Sequence, residues 1–242
     1  MKKLAIIIPT LNEALSLSIT INEIINLYSK KVDLRFYIIE SGDIEITKKS
    51  LNKIKFKNIF LIFLKKEKRP NNCKAIRIGS EIAYSDKNNQ YFLEFDADGA
   101  YDPLGIKDAL TKIEKHNFVI ASKYNKKSKI NRKFVRRLYS YMYTFICRVI
   151  FNNNVTDYST SFKMYDRFTM KLYLNNQMKY KGAPQHLDNI LNLIVNNNII
   201  PYEIPMVYRD RIHGKSGINF RELLYCMFEF IKCINFYLGK SK

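Results

Sequence analysis

The segment that decides the fold is Phe92-Leu93-Glu94-Phe95-Asp96-Ala97-Asp98-Gly99. Its apolar residues predict a buried strand over 91–95, which gives way to a loop at two carboxylates one residue apart. Asp96 and Asp98 can then bind one divalent cation together with phosphate oxygens, a ligand set that suits Mg²⁺ and Mn²⁺. An Asp-x-Asp pair is also common in exposed acidic loops, so the rest of the chain has to decide between the two interpretations.

Similar apolar runs recur along the first half of the chain. They cover 4–8, 36–39, 59–64, 91–95 and 118–122, with helical patterns between them. Strands that alternate with helices in this way predict an α/β fold, a mostly parallel sheet flanked by helices. Ligands bind such sheets at the carboxyl ends of the strands, where Glu40, Asp96 and Asp98 fall. Thr10 or Asn12 is expected to cap the first helix.

The second half of the chain has a different pattern. The sequence predicts strands at 161–165 and 199–207, a helix at 185–195, and strongly apolar helices at 134–151 and 220–238. Arginines in the first apolar helix argue against a simple membrane span, which needs roughly 20 mostly uncharged residues. Two interpretations of the apolar helices stay open. They lie in the plane of an anionic membrane surface, or they are core or dimer-interface helices.

Composition limits the class of protein. A chain of 242 residues that is 47% hydrophobic can bury a full core and is not disordered. Its net charge of +19 requires an anionic partner such as nucleic acid, lipid headgroups or nucleotide phosphates. Between Glu114 and Asp157 there are ten Lys and Arg residues and no acid. The four cysteines have no paired spacing, which is typical of a reduced, cytoplasmic protein.

Seven polar segments follow one another in a recognisable order. They are Pro9-Thr10-Leu11-Asn12-Glu13, Glu40-Ser41-Gly42, Asp96-Ala97-Asp98-Gly99 with Asp102-Pro103, Ser122-Lys123-Tyr124, Arg136 with Ser140, Asp157-Tyr158-Ser159-Thr160-Ser161-Phe162-Lys163, and Asp210-Arg211 with Gly214-Lys215-Ser216. This order resembles the family 2 glycosyltransferases, which have the GT-A fold, and among them the dolichyl- or polyprenyl-phosphate sugar transferases. The resemblance implies a GT-A domain with a Rossmann-like sheet over 1–217. The remaining 218–242 would form a C-terminal apolar helix that contacts a membrane surface or another subunit.

The resemblance also implies catalytic residues. Asp98 is expected to act through the metal, and Arg136 and Arg211 through the phosphates. Asp157 is expected either to anchor a turn or to orient Arg136. If the acceptor is a hydroxyl group, Asp157 or Asp188 would serve as its general base, whereas a phosphate acceptor is already ionised and needs none.

A larger set is expected to bind the substrate and its nucleotide. Asp96 and Asp98 would bind Mg²⁺ or Mn²⁺, Glu40 stands where the family has Asp, and Lys123 stands where it has Arg. The binding residues implied by the resemblance are Pro9, Thr10, Asn12, Glu13, Glu40, Lys74, Asp96, Ala97, Lys123, Ser140, Asp188 and Lys215.

These observations favour an inverting transferase that moves a sugar from a GDP- or UDP-linked donor to a polyprenyl or dolichyl phosphate. We expect it in the cytoplasm, peripheral to the cytoplasmic face of a membrane. The alternative enzyme acts on a glycan hydroxyl in surface polysaccharide or lipopolysaccharide assembly. A nucleic-acid-binding protein is not expected, because the cations interleave with an apolar helix and the strand-end carboxylates repel phosphate unless a metal is bound. A non-catalytic glycan-binding relative stays open, since Glu40 alters the expected base pocket.

Overall fold

The apolar runs form one central sheet with helices on both faces in the computed structural model of the chain. The structure describes residues 1–64, 72–130, 134–151, 154–209 and 220–240, with the backbone alone at 134–140, 183 and 220–223. In the first strand Leu4, Ile6 and Ile8 pack against one layer of helices, and Ala5 and Ile7 pack against the other. A strand buried on both faces needs apolar residues throughout, which explains why this run shows no polar alternation.

The strands of the described chain make one large and one small sheet. They are β1 (Lys2–Thr10), β2 (Val32–Glu40), β3 (Ile59–Phe63), β4 (Tyr91–Glu94), β5 (Phe118–Ser122), β6 (Lys129–Ile130), β7 (Lys163–Asp166), β8 (Tyr202–Pro205) and β9 (Val207–Tyr208). The large sheet has the order β3-β2-β1-β4-β7-β5-β8, and β6 pairs with β9. Its strands are parallel except β7, which is antiparallel to both neighbours. The predicted α/β fold with a mostly parallel sheet is confirmed.

The helices are divided between the two faces of the sheet. They are α1 (Ala14–Tyr28), α2 (Ile44–Leu51), α3 (Asn72–Ser85), α4 (Gly105–Lys112), α5 (Phe134–Phe151), α6 (Arg167–Asn175), α7 (Ala183–Leu191) and α8 (Phe220–Leu238). One π-helical turn, Asn192–Asn196, extends α7. Core residues of α1, α2 and α4 cover one face, and those of α3, α5, α6, α7 and α8 cover the other. Within the described ranges, no helix is both long and apolar enough to cross a bilayer.

The expected cap of the first helix is wrong. Helix α1 begins at Ala14, and Glu13 before it makes no side-chain cap bond. Thr10 is still part of β1, and Asn12 adopts a left-handed conformation with φ 56°. The Asn12 side chain instead accepts a hydrogen bond of 2.8 Å from the backbone N–H of Asp43. Asn12 therefore joins two loops and does not start the helix.

The run 199–207, predicted as a strand interrupted by Pro201 and Pro205, forms two strands. Strand β8 pairs with β5, whereas β9 pairs with β6. The break falls at Met206, whose N–H donates to Ser128 Oγ at 3.0 Å and whose carbonyl accepts from the Lys129 N–H at 2.9 Å. These bonds direct the chain from one sheet to the other.

Helix α8 packs onto the body of the protein. The Tyr237 hydroxyl donates to Asp188 Oδ1 of α7 at 2.8 Å, and Cys233 and Ile234 are buried. The predicted division of the chain at residue 217 stays a prediction.

Candidate active site

A cavity of about 420 Å³ opens at the carboxyl ends of β1, β2 and β4. Parallel strands end at one edge of a sheet, so residues distant in sequence meet there. Seven of the residues predicted from the sequence line it, namely Pro9, Thr10, Glu13, Asp96, Ala97, Asp98 and Lys123. The Thr10 hydroxyl is buried and has no hydrogen-bond partner within the described part of the chain. A buried polar group of this kind is usually satisfied by protein, water or a ligand.

The two carboxylates of the Asp-x-Asp pair differ in their surroundings. Asp98 is buried, and its Oδ1 accepts a hydrogen bond of 2.9 Å from the Ala100 N–H. Asp96 is partly exposed to the cavity. Gly99 directly follows Asp98. It has φ 74°, a left-handed conformation that glycine adopts without strain. The loop therefore turns sharply and keeps both carboxylates at the cavity.

The donor set of this pair fits a hard cation. Within the described ranges, no three His, Cys, Asp or Glu side chains are grouped so that they could hold a metal ion. Mg²⁺ is commonly bound by one or two carboxylates, with water and substrate phosphates completing its shell. Asp96 and Asp98 supply such carboxylates and leave room for phosphate oxygens.

Glu40 holds together the loops that follow β1 and β2. Its carboxylate is fully buried, and Oε1 accepts from the N–H of Gly42 at 2.6 Å and of Asn12 at 3.3 Å. Oε2 accepts from the Thr47 hydroxyl at 2.6 Å. Neither Glu40 nor Asn12 is among the residues that line the cavity, and their expected contact with the nucleotide stays a prediction. Ser41, which lies between Glu40 and Gly42, does line it.

Lys123 is held in the cavity wall by Asp157. The Asp157 carboxylate is fully buried and accepts from the Lys123 N–H at 3.1 Å, with the Lys123 Nζ 3.5 Å away. Its other oxygen accepts from the N–H and hydroxyl of Ser159 at 3.0 and 2.9 Å. Lys123 Nζ also donates to Ser159 Oγ at 3.1 Å. Asp157 therefore anchors this turn, which is one of the roles expected for it, and it is not among the residues that line the cavity.

Asp188 and Lys74 are not among the residues that line the cavity. Asp188 is fully buried, and its carboxylate accepts from the side-chain amides of Asn176 and Gln185 at 2.9 and 3.1 Å and from Tyr237. Burial, with Asp188 beside it, raises the pKa of the Tyr237 phenol. Asp188 thus ties α7 to α8, and its expected role at the substrate stays a prediction. Lys74 lies on α3, partly exposed.

Four predicted residues fall where the structure gives no side chain. Arg211 and Lys215 lie outside the described residues, and Arg136 and Ser140 lie where α5 is described by its backbone alone. Their expected roles at the phosphates stay predictions.

Sequence reasoning missed several residues of the lining. They are Leu11, Ser41, Asn72, Ala75, Tyr101, Ser159, Ser161 and Tyr208. Ser41, Ser159 and Ser161 lay within segments singled out from the sequence, so their small polar side chains were a usable signal. Tyr101 had no such signal, since its place depends on its hydroxyl accepting from the Ser161 N–H at 2.9 Å.

A buried polar chain behind the carboxylates was also missed. Lys163 Nζ of β7 donates to Glu94 Oε2 of β4 at 2.7 Å, and both side chains are buried. The same Nζ lies 2.9 Å from Nδ1 of His186, whose Nε2 lies 3.6 Å from Cys73 Sγ on α3. Burial, then the charge of Lys163, lowers the pKa of His186 well below its usual value, and burial raises the pKa of Cys73 to about 12. These four side chains thus connect β4, β7, α7 and α3. The imidazole of His186 and the thiol of Cys73 are neutral in this arrangement.

The sheet and the helices around it have the GT-A fold of similar solved structures. The family model described as Glycosyl transferase family 2 matches residues 5–173, and the chain belongs to that family. No curated protein sequence matches the chain significantly.

Solved structures of glucosyl-3-phosphoglycerate synthase from Mycobacterium tuberculosis have a similar fold. Its complex with Mn²⁺, UDP and phosphoglyceric acid superposes with a TM-score of 0.71 at 13% identity, covering 98% of this chain and 79% of that one. Its complex with Mn²⁺ and UDP-glucose superposes with a TM-score of 0.68 at 13% identity, covering 98% of this chain and 79% of that one. Its complex with phosphoglyceric acid superposes with a TM-score of 0.68 at 14% identity, covering 98% of this chain and 80% of that one.

Proposed function

We propose that the protein transfers a sugar from a nucleoside diphosphate sugar to an acceptor, with inversion at the anomeric carbon. Mg²⁺ or Mn²⁺ would bind at Asp96 and Asp98. The observation that carries this proposal is the carboxylate pair at the end of β4, in the same cavity as Lys123. Membership of glycosyl transferase family 2 supports the reaction class.

The residues of the cavity suit the departure of a diphosphate. A divalent cation at Asp96 and Asp98 would act as a Lewis acid on the negative charge that grows on the leaving group. Lys123 adds a fixed positive charge, and its bonds to Asp157 and Ser159 hold it in place before the reaction. Charges that are already oriented cost no reorganisation when the transition state forms.

The donor proposed is UDP- or GDP-linked, and UDP-glucose is the first candidate to test. Some of the glucosyl-3-phosphoglycerate synthase structures contain UDP-glucose or UDP, which supports uridine by similarity of fold. The buried hydroxyl of Thr10 and the side chains of Ser41 and Asn72 offer polar groups to the nucleoside, in place of the Glu40 carboxylate that is used within the protein.

The acceptor proposed is an ionised phosphate, as on a polyprenyl or dolichyl lipid. A hydroxyl acceptor needs a general base, but the two candidates Asp157 and Asp188 are buried and fully engaged in hydrogen bonds. A phosphate acceptor needs no base, and the net charge of +19 favours an anionic substrate. Transfer to a glycan hydroxyl is the alternative.

A cytoplasmic location is part of the proposal. All four cysteines lie within the described residues and are free, which agrees with a reducing compartment.

The test is a screen of UDP- and GDP-sugars with Mn²⁺, scored by release of nucleoside diphosphate with polyprenyl phosphate or an oligosaccharide as acceptor. Asp98→Asn keeps an oxygen for the Ala100 N–H but loses the charge that binds the metal. We expect turnover to fall by about a hundredfold or more, since a catalytic metal is worth several kcal/mol. Asp108→Asn, on the exposed side of α4, is the matched control and should leave turnover unchanged. Undiminished turnover in excess EDTA would refute the metal-dependent mechanism.

A further inference from the structure

Two neighbouring helices leave large apolar side chains uncovered. Met142, Phe145 and Val149 of α5 and Met227, Phe228 and Ile231 of α8 are each between 53% and 65% exposed. We call these six residues the apolar face. Their spacing places them along one stripe of each helix, opposite the buried Cys147 and Cys233. Monomeric proteins rarely expose apolar patches of this kind unless a partner or a membrane covers them.

The two helices touch each other. The rings of Tyr143 on α5 and Phe230 on α8 pack with their centroids 4.6 Å apart. Both rings are only partly exposed, so they form a contact that joins the helices. The exposed stripes therefore lie on two helices that are in contact.

The charges around the apolar face select an anionic partner. Among the described side chains of α5 and α8, the exposed charged groups are Arg148 and Lys232. Glu229, the one acid among the described side chains of the two helices, is buried and accepts a hydrogen bond from Lys232 at 2.9 Å. Exposed lysines at 126, 127 and 129 lie in the segment that leads to α5. A two-fold interface with a second copy would bring this cationic surface against itself, which is unfavourable.

The helix pair also adjoins the cavity. The rings of Tyr124 and Tyr141 pack edge to face with their centroids 5.9 Å apart. Tyr124 directly follows Lys123, which lines the cavity. A lipid with its tail at the apolar face would therefore have its phosphate near the positive charge of Lys123.

We propose that the apolar face of α5 and α8 inserts into the interfacial region of an anionic membrane, with the two helices lying in its plane. Apolar side chains flanked by cations are the features by which in-plane helices bind such surfaces. The inference deepens the proposed function, because it gives a lipid phosphate acceptor a route to the cavity. Membrane binding itself needs no turnover and is measured separately.

The experiment is flotation of the full chain with vesicles of phosphatidylcholine, with or without phosphatidylglycerol, at low and high salt. Binding should require the anionic lipid and fall as salt rises. Phe145→Glu combined with Phe228→Glu should weaken binding roughly tenfold to a hundredfold or more, since removing a Phe side chain from water contributes a factor of about that size. The matched control is Phe168→Glu on α6, where the Phe is 58% exposed, and it should bind like the unaltered protein. Circular dichroism checks that each variant is folded.

Absence of flotation with anionic vesicles would overturn the proposal. So would equal binding of the double variant and the control. If the double variant instead abolished a dimer in sedimentation without changing flotation, the occupant would be a second copy. Calorimetry with UDP and Mn²⁺ separates the two hypotheses. Nucleotide binding without flotation refutes the membrane surface alone, and flotation without nucleotide binding refutes the proposed donor alone.

Discussion

Replacing Lys163 with Met removes one partner of a buried ion pair. Lys163 Nζ and Glu94 Oε2 are 2.7 Å apart, and both side chains are almost completely shielded from water. In Lys163→Met the Glu94 carboxylate keeps its hydrogen bond from the Tyr165 hydroxyl but loses its counter-ion. The Nδ1 atom of His186 loses its donor as well.

The expected loss of stability follows from the burial of both groups. Leaving one charge of a buried pair without its partner typically costs about 3–5 kcal/mol. Domains are commonly stable by only about 5–15 kcal/mol, so the loss is a large part of the total. For a chain of this length, about 4 kcal/mol corresponds to a fall in Tm of roughly 8–16 °C.

Urea unfolding followed by circular dichroism measures this loss, because the chain contains no Trp for fluorescence. Lys171→Met, at an exposed position of α6, is the matched control and should change stability by no more than about 0.5 kcal/mol. Glu94→Gln added to Lys163→Met removes the unpaired charge, keeps an acceptor for Tyr165, and should recover most of the loss. If Lys163→Met were no less stable than Lys171→Met, the argument from burial would be refuted.

Two further predictions concern the same half of the molecule. The lowered pKa of His186 means that the unfolded chain binds a proton below about pH 6.5 while the folded chain does not. The free energy of unfolding should then fall by up to about 1.4 kcal/mol per pH unit below that point. His186→Gln should flatten this slope when unfolding by urea is measured at several pH values. An unchanged slope would contradict the neutral imidazole. Gly79→Ala would place a Cβ 2.3 Å from Ile39 Cδ1 and 2.7 Å from Ile7 Cγ2, so we expect a loss of about 1–3 kcal/mol. Gly105→Ala, whose Cβ would meet an ordinary contact of 3.9 Å, is the control, and equal stabilities of the two variants would contradict the prediction.

The fold and the strand-end carboxylates could be predicted because their signals are local. A buried parallel strand is a short apolar run, and such strands end at one edge of the sheet, where ligands bind. Helices α5 and α8 begin and end where the sequence pattern predicts, since an apolar period of 3.6 residues depends on neighbouring residues.

The roles of the buried polar residues could not be predicted in this way. Asp157 accepts from Lys123, 34 positions away, and Asp188 accepts from Tyr237, 49 positions away. Both carboxylates were expected as candidate bases because nothing in their local sequence distinguishes an anchor from a base. Only the burial and the partners of a carboxylate decide which of the two it is.

The sequence by itself determined the class of fold, the edge of the sheet that binds ligands and the residues that could hold a metal. The tertiary structure decided that Glu40 faces inward, that Lys163 pairs with Glu94, and that α5 and α8 expose one apolar face. Hydrophobic periodicity indicates which side chains of a helix or strand are buried, because it depends on residues a few positions apart. Hydrogen bonds and surfaces between distant elements depend on how the layers pack, and no short window of the chain contains that information.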